Sequence, residues 1–227
     1  MYSEGGQQVS HTYNFTVWSC YVCPYAWRAA EWLERVQDKL DDDLQITWKS
    51  FLLEQANSRR GAQWKAWQDP RFTSRDIPPH EAAKSVLTHH GPDAFKQFHM
   101  AVFRAYHLDK RDIANPLELV AIARELGFET AALEEDLRTR KFKEVVGADH
   151  EEADEQYDIF GVPTLLFDGQ QPTFVKLAEG KWEGTDDDLE LFRALTTTAP
   201  RPYVMEIKKP ASATAAAASA ARREREG

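Results

Sequence analysis

Only two of the 227 residues are cysteine, Cys20 and Cys23, and no apolar run approaches the length of a bilayer span. A multi-disulfide framework is thereby excluded, and no transmembrane helix is expected. The opening residues MYSEGGQQVSHTYNF carry neither a basic start nor an apolar stretch, so a secretory leader is not expected. Positive charge is also scarce. The net charge is −9; residues 208–227 hold five Lys or Arg against two Glu, leaving the body at −12. Nucleic-acid binding needs concentrated positive charge, which argues against that class of partner. No internal repeat is visible. What is present is a globular composition, 42% hydrophobic and 29% charged, in a chain long enough for one domain with a large insertion. Two cysteines without an export signal point to the reducing cytoplasm. There a C-x-x-C pair reads as catalytic or metal-binding before structural.

Residues 1–11 read as a flexible leader. Thr12 to Trp18 alternates as a strand, with Tyr13, Phe15 and Val17 on one face. From Pro24 to Leu40 the apolar spacing is that of one helix face, and Leu44, Ile46 and Trp48 alternate again into Phe51 and Leu52. Residues 12–57 are thus a strand–helix–strand unit whose strands should be parallel. Helical spacing dominates 58–157, broken at Pro70, Pro78-Pro79, Gly91-Pro92, Asn115-Pro116 and Gly127. Over 158–200, GVPTLLFDG reads as a strand, TFVKLAEG as its hairpin partner, and the acids at 186–188 as the start of a last helix. Residues 201–227 are low-complexity and expected to be flexible. The expected class is α/β with an inserted all-helical subdomain.

The two cysteines can be ranked by helix geometry. Proline suits the first helical position but costs about 3 kcal/mol deeper in. Pro24 therefore makes Cys23, not Cys20, the helix cap. A thiol there faces unpaired N–H groups and the positive end of the helix dipole, which favour the thiolate that acts as nucleophile. Ala26 stands one turn on, where a resolving cysteine would sit, and Cys20 lies upstream. The plain alternative is that a buried cysteine is an inert small hydrophobe. Zinc would need two further ligands, and the seven histidines offer no close pair at finger-like spacing.

With Cys23 at that position, VCPYAWRAAEWLE (Val22 to Glu34) resembles the active-site helix of the cytoplasmic DsbA-family oxidoreductases, with Ala26 in place of their second cysteine. AYHLDKRDIANPLELVAIARELGFE (105–129) is similar to their helical insert, and YDIFGVPTLLFDG (157–169) to their loop with a cis proline. The resemblance, over 12–195, implies a thioredoxin-like fold with a helical insertion. It further implies that Pro163 lies against Cys23, with Val162 and Thr164 available to pair with a substrate alongside Pro24, Tyr25 and Trp27. CPYAW also looks like the helix start of kappa-class glutathione transferases and 2-hydroxychromene-2-carboxylate isomerases, with Cys23 replacing serine. Gly184-Thr185-Asp186-Asp187 resembles their glutathione-binding G-S-D-R, so Thr185 and Asp186 are candidates to hold a γ-glutamyl group. Without these likenesses, Pro163 would be read as a proline at an exposed strand start.

Two enzymatic readings follow. The first is a thiol–disulfide oxidoreductase working through Cys23 alone, released by a low-molecular-weight thiol such as glutathione, mycothiol or bacillithiol, with Cys20 as the alternative resolving thiol. The second is a thiol-dependent transferase, isomerase or nitroreductase with an electrophile pocket among Tyr25, Trp27, Trp64, Trp67, Phe95, Phe98 and Phe103; spacing alone assigns those aromatics to the core of the insert. A third class is a binding or chaperone module on the same fold. No tightly bound cofactor or metal is called for, no membrane partner is expected, and a homodimer is left open.

Overall fold

The protein, seen here in a computed structural model, is described over residues 12–61, 63–167, 171–178, 187–199, 201, and 203–206. The expected leader, and the tail from 207 onward, lie outside the described residues.

Strand β1 (Tyr13–Ser19) buries Phe15 and Val17 on one face and Trp18 on the other, as alternation along a pleated strand requires. Helix α1 (Pro24–Leu40) crosses to β2 (Leu44–Ser50), which pairs with β1 in parallel from Tyr13 opposite Leu44 to Ser19 opposite Ser50. Strand β3 (Thr164–Phe167) lies antiparallel on the other side of β1, and β4 (Thr173–Phe174) is antiparallel to β3, giving the order β2-β1-β3-β4. Between β2 and β3 come α2 (Leu53–Ala56), α3 (Ile77–His107), α4 (Pro116–Glu125), α5 (Ala131–Thr139) and α6 (Lys143–Glu155); α7 (Asp187–Thr198) follows β4. This is an α/β arrangement with a helical insertion.

Local signals explain most boundaries. Asn115 accepts a hydrogen bond from the Leu117 amide at 3.0 Å, Pro116 occupies the first helical position of α4, and Gly127 beyond its end has φ +82°. Gly91, at φ +84°, separates two helical stretches inside α3, the break its Gly-Pro sequence announces. Two boundaries differ from expectation. Strand β2 ends at Ser50, because the Leu52 amide turns to His150 Nδ1 at 3.2 Å. The hairpin partner of β3 is only two residues long: beyond Phe174 it faces Pro163, which accepts from the Val175 amide but has no N–H to return.

Helix α1 is buried on two sides. Its Trp32, Leu33 and Val36 join Phe15, Val17, Leu165 and Phe167 of the sheet and Phe192 of α7 in one core. Its Ala26, Trp27 and Ala30 join Trp18, Tyr21 and the insert residues Phe98, Val102 and Phe103 in the other. Each such large apolar side chain stabilises the fold by about 1.5–3 kcal/mol.

Polar clasps fix the outer helices. Asp188 of α7 accepts from Arg35 Nε at 2.9 Å and from the Lys39 ammonium at 3.4 Å, while its carbonyl accepts from Trp32 Nε1. Burial opposes ionisation of Asp188, but the Arg35 guanidinium and Lys39 outweigh it and hold the carboxyl below its ordinary range. On α6, Asp149 accepts from the Ser50 amide at 2.9 Å and pairs with Lys84 at 2.7 Å.

A depressed folded-state pKa means that the Asp188 contribution is present above about pH 4 and lost as pH falls through the folded value. Asp188→Asn should therefore lower stability by about 1.5–3 kcal/mol at neutral pH, read from urea unfolding, and the gap to wild type should close in acid. At Gly147 an added Cβ would lie 2.3 Å from Trp67 Nε1. Gly147→Ala should cost about 1–3 kcal/mol through displacement of that buried indole, visible as a lower urea midpoint.

Candidate functional site

The chain leaving β1, the inner strand next to β3, makes a tight turn through Cys20, Tyr21, Val22 and Cys23, closed by the Cys23 amide donating to the Cys20 carbonyl at 3.0 Å. Cys23 has extended backbone angles, φ −85° and ψ 120°, at the cap of α1, with Pro24 at the first helical position. Cys23 is 6% exposed beneath an exposed Pro24; Cys20 is 0% exposed, and both are free thiols. Burial first, and then the charge of Asp76, push the Cys20 thiol well above its ordinary range.

Because β3 is antiparallel to β1, its start lies beside the end of β1, with Thr164 opposite Trp18. That register brings in the loop before β3. The Cys23 thiol donates to the Val162 carbonyl at 3.5 Å, and the Val162–Pro163 peptide bond is cis. Thr164 is buried and its hydroxyl donates to the Gly161 carbonyl at 2.7 Å, tying the loop together. The Cys20–Cys23 turn and the loop at Val162–Pro163 thus meet at the Cys23 sulfur. Thr185 and Asp186 lie outside the described residues.

Tyr25 is half-buried at the rim, its ring flanked by Lys176 Nζ at 4.0 Å and Arg28 Cζ at 5.4 Å. Trp27 points inward and stacks on His107 with an interplanar angle of 3°. The aromatics proposed for an electrophile pocket separate instead. Trp27, Phe98 and Phe103 are core, and Trp64 and Trp67 belong to another cluster with Phe72 and Val146. The cavity at the seam, bounded by Trp48 and His99, has a volume of about 20 Å³. A larger groove of about 520 Å³ lies along α7, lined by Leu189, Glu190 and Arg193 among others, and includes none of the residues around Cys23.

Sequence reasoning missed the polar residues that grip the turn from the insert. Tyr21 Oη shares a 2.7 Å hydrogen bond with His99 Nδ1, and His107 Nε2 donates to the Tyr21 carbonyl at 2.9 Å. Asp76 was missed as well. Its place before Ile77-Pro78-Pro79 was a readable cap signal, since proline early in a helix marks its start. Nothing in the sequence indicates that His99 would reach Tyr21. Among the described residues no three His, Cys, Asp or Glu side chains converge to hold a metal ion.

Several solved structures share this architecture. A cytosolic disulfide reductase, DsbM from Pseudomonas aeruginosa with GSH, has 18% identity and a TM-score of 0.55, over 81% of this chain and 99% of that one. A DsbA from the same organism has 17% identity and a TM-score of 0.54, over 85% and 88%. A protein from Nitrosomonas europaea, described as a disulfide isomerase, has 14% identity and a TM-score of 0.58, over 82% and 98%. At these identities the likeness is one of fold. No curated protein matches the chain. Residues 15–187, which take in the Cys20–Cys23 turn, the whole insert and the loop at Pro163, match the DSBA-like thioredoxin domain, and the chain belongs to that family.

Proposed function

We propose that the protein is a thiol–disulfide oxidoreductase in which Cys23 is the single attacking nucleophile and a low-molecular-weight thiol is the external reductant. The observation that carries this reading is the placement of Cys23 Sγ, at a helix cap, 3.5 Å from the carbonyl before Pro163. A sulfur there lies at the N-terminal end of α1, where first-turn N–H groups lack helical partners and favour negative charge. The sulfur attacks a substrate disulfide, forms a mixed disulfide and expels the other half as a thiolate. The backbone of the Val162 loop offers an extended substrate a strand-like partner beside the reacting atom.

Substrate contacts follow from the rim. Phe160 is 81% exposed and packs on Phe174 with ring centroids 5.3 Å apart, two residues before Val162. Lys176 and Arg28 beside Tyr25 supply positive charge that suits the carboxylates of a glutathione-like thiol. A fold neighbour solved with GSH makes glutathione the first thiol to test, followed by mycothiol and bacillithiol. The small seam cavity gives the transferase reading no support. We place the activity in the reducing cytoplasm; no helix among the described residues is long and apolar enough to cross a membrane. One chain supplies every group used, so the chemistry needs no second copy.

Cys23→Ser should abolish formation of a glutathione adduct from oxidised glutathione, read by intact-protein mass spectrometry, and reduce disulfide turnover to background. Turnover of an aryl halide with glutathione that exceeds disulfide turnover would overturn the reading in favour of a transferase. Phe160→Ala should raise KM for a protein disulfide several-fold at near-constant kcat, while folding stability moves by no more than about 0.5 kcal/mol, as for other exposed positions.

A further inference from the structure

We infer that His107, the last residue of α3, is a positioning residue for the Cys23 nucleophile, its ring gripping both the centre of the cysteine turn and the first turn of α1. The inference rests on Cys23 being the attacking thiol, as proposed above, and adds the residue that keeps it aligned.

The Cys23 amide bonds the Cys20 carbonyl at 3.0 Å, so Cys20 to Cys23 form a β-turn with Tyr21 and Val22 at its centre. The Tyr21–Val22 peptide plane is the soft element of such a turn, because it rotates without breaking the closing bond. A complete flip needs a positive φ at Val22, which Val22 does not have and a β-branched residue resists. Rocking of the plane remains, and His107 restrains it: Nε2 donates to the Tyr21 carbonyl at 2.9 Å. A carbonyl only accepts, so Nε2 carries the proton and the bond holds whether or not Nδ1 is protonated.

The same ring reaches the other side of the sulfur. It stacks on Trp27 with centroids 5.9 Å apart, and the Trp27 amide donates to the Cys23 carbonyl at 3.0 Å, at the start of α1. One imidazole therefore meets Tyr21 before the nucleophile and Trp27 after it. Phe103, one turn earlier on α3, touches the same two rings at 4.8 and 5.7 Å but brings no polar atom. His107 is itself steadied: Phe103 and Tyr106 flank its ring at 6.1 and 4.9 Å, and the Lys110 ammonium donates to its carbonyl at 2.6 Å. A donor mounted on a packed helix holds its target more closely than one on a loop.

Alignment matters because Cys23 Sγ must stay beside the Val162 carbonyl, 3.5 Å away, where an extended substrate is offered its partner. A misplacement of about 1 Å at a reacting atom costs up to about 10²-fold in rate. Attack on a docked disulfide demands that alignment, whereas alkylation by a small diffusing reagent does not. The difference separates positioning from mere packing and from activation of the thiol.

The test follows single turnovers of the full chain with oxidised glutathione in excess. Cys23 sulfur attacks the disulfide, keeps one half as a mixed disulfide and expels the other as a thiolate. Intact-protein mass scores the loss of the reduced form, as adduct or as a Cys20–Cys23 disulfide, and its rate constant does not depend on how much of the chain is folded. His107→Phe keeps a ring against Trp27 but has no donor. Its maximal rate should fall about tenfold or more, with the half-saturating concentration within about twofold of wild type. Alkylation of Cys23 by iodoacetamide should not fall. His107→Gln supplies an amide donor at the reach of Nε2 and should recover the rate to within about threefold of wild type. An unchanged rate in His107→Phe, a parallel fall in its alkylation, or no recovery in His107→Gln would overturn the inference. A reduced form that persists in wild type, or is lost as fast in Cys23→Ser, would instead remove the reading of Cys23 on which it rests.

Discussion

The contact between the Cys23 thiol and the Val162 carbonyl joins residues 139 positions apart, and the rest of the molecule is arranged so that it can form. Strand β1 must end where β3 begins, which an antiparallel neighbour provides and a parallel one would not. Helix α1 must start at the fifth residue after β1 ends at Ser19, and Pro24 fixes that start. The two cores then hold α1 from both sides, so that its first turn has little freedom to move away from the loop.

The insert contributes more than bulk. Tyr21, in the middle of the cysteine turn, meets His80, His99 and Phe103 with ring centroids 4.8–5.2 Å apart. Burial holds His99 neutral, down to about 3, and pushes His80 well below its usual range. Neutral imidazoles can share a hydrophobic site with a tyrosine hydroxyl without the desolvation cost of a buried cation. The turn is thus fixed by aromatic contact and two hydrogen bonds from the insert, and the inner cysteine beside it is fully buried.

Much of this was legible in the sequence where the cause was local. Proline at position 24 announced which cysteine caps the helix, alternation gave β1 and β2, and Asn115-Pro116 and Gly127 bounded α4. The juxtaposition of Pro163 with Cys23 came from family resemblance, not from any local signal. What the sequence could not reveal was distant pairing. Nothing near Cys20 says that it is fully buried, because the core cluster it joins draws on the insert and on Phe51 and Val162. The hydrogen bond of Tyr21 with His99 spans 78 positions, and that of Trp18 with the Asp149 carbonyl spans 131. Spacing also could not tell that Trp64 and Trp67 would join a separate cluster from Trp27 and Phe103.

Gly91 has a reach that its lone position conceals. A straight helix from Asp76 to His107 would extend about 46 Å at 1.5 Å per residue. Yet the His80 ring, one turn into the helix, packs on Tyr21 with centroids 4.9 Å apart, while His107 at the other end bonds the carbonyl of the same Tyr21. Both ends of α3 therefore arrive at one turn of chain only because the helix doubles back at the left-handed backbone of Gly91. The reactive segment is pinched between the jaws of a single folded rod, and the pivot of that pincer is a residue without a side chain.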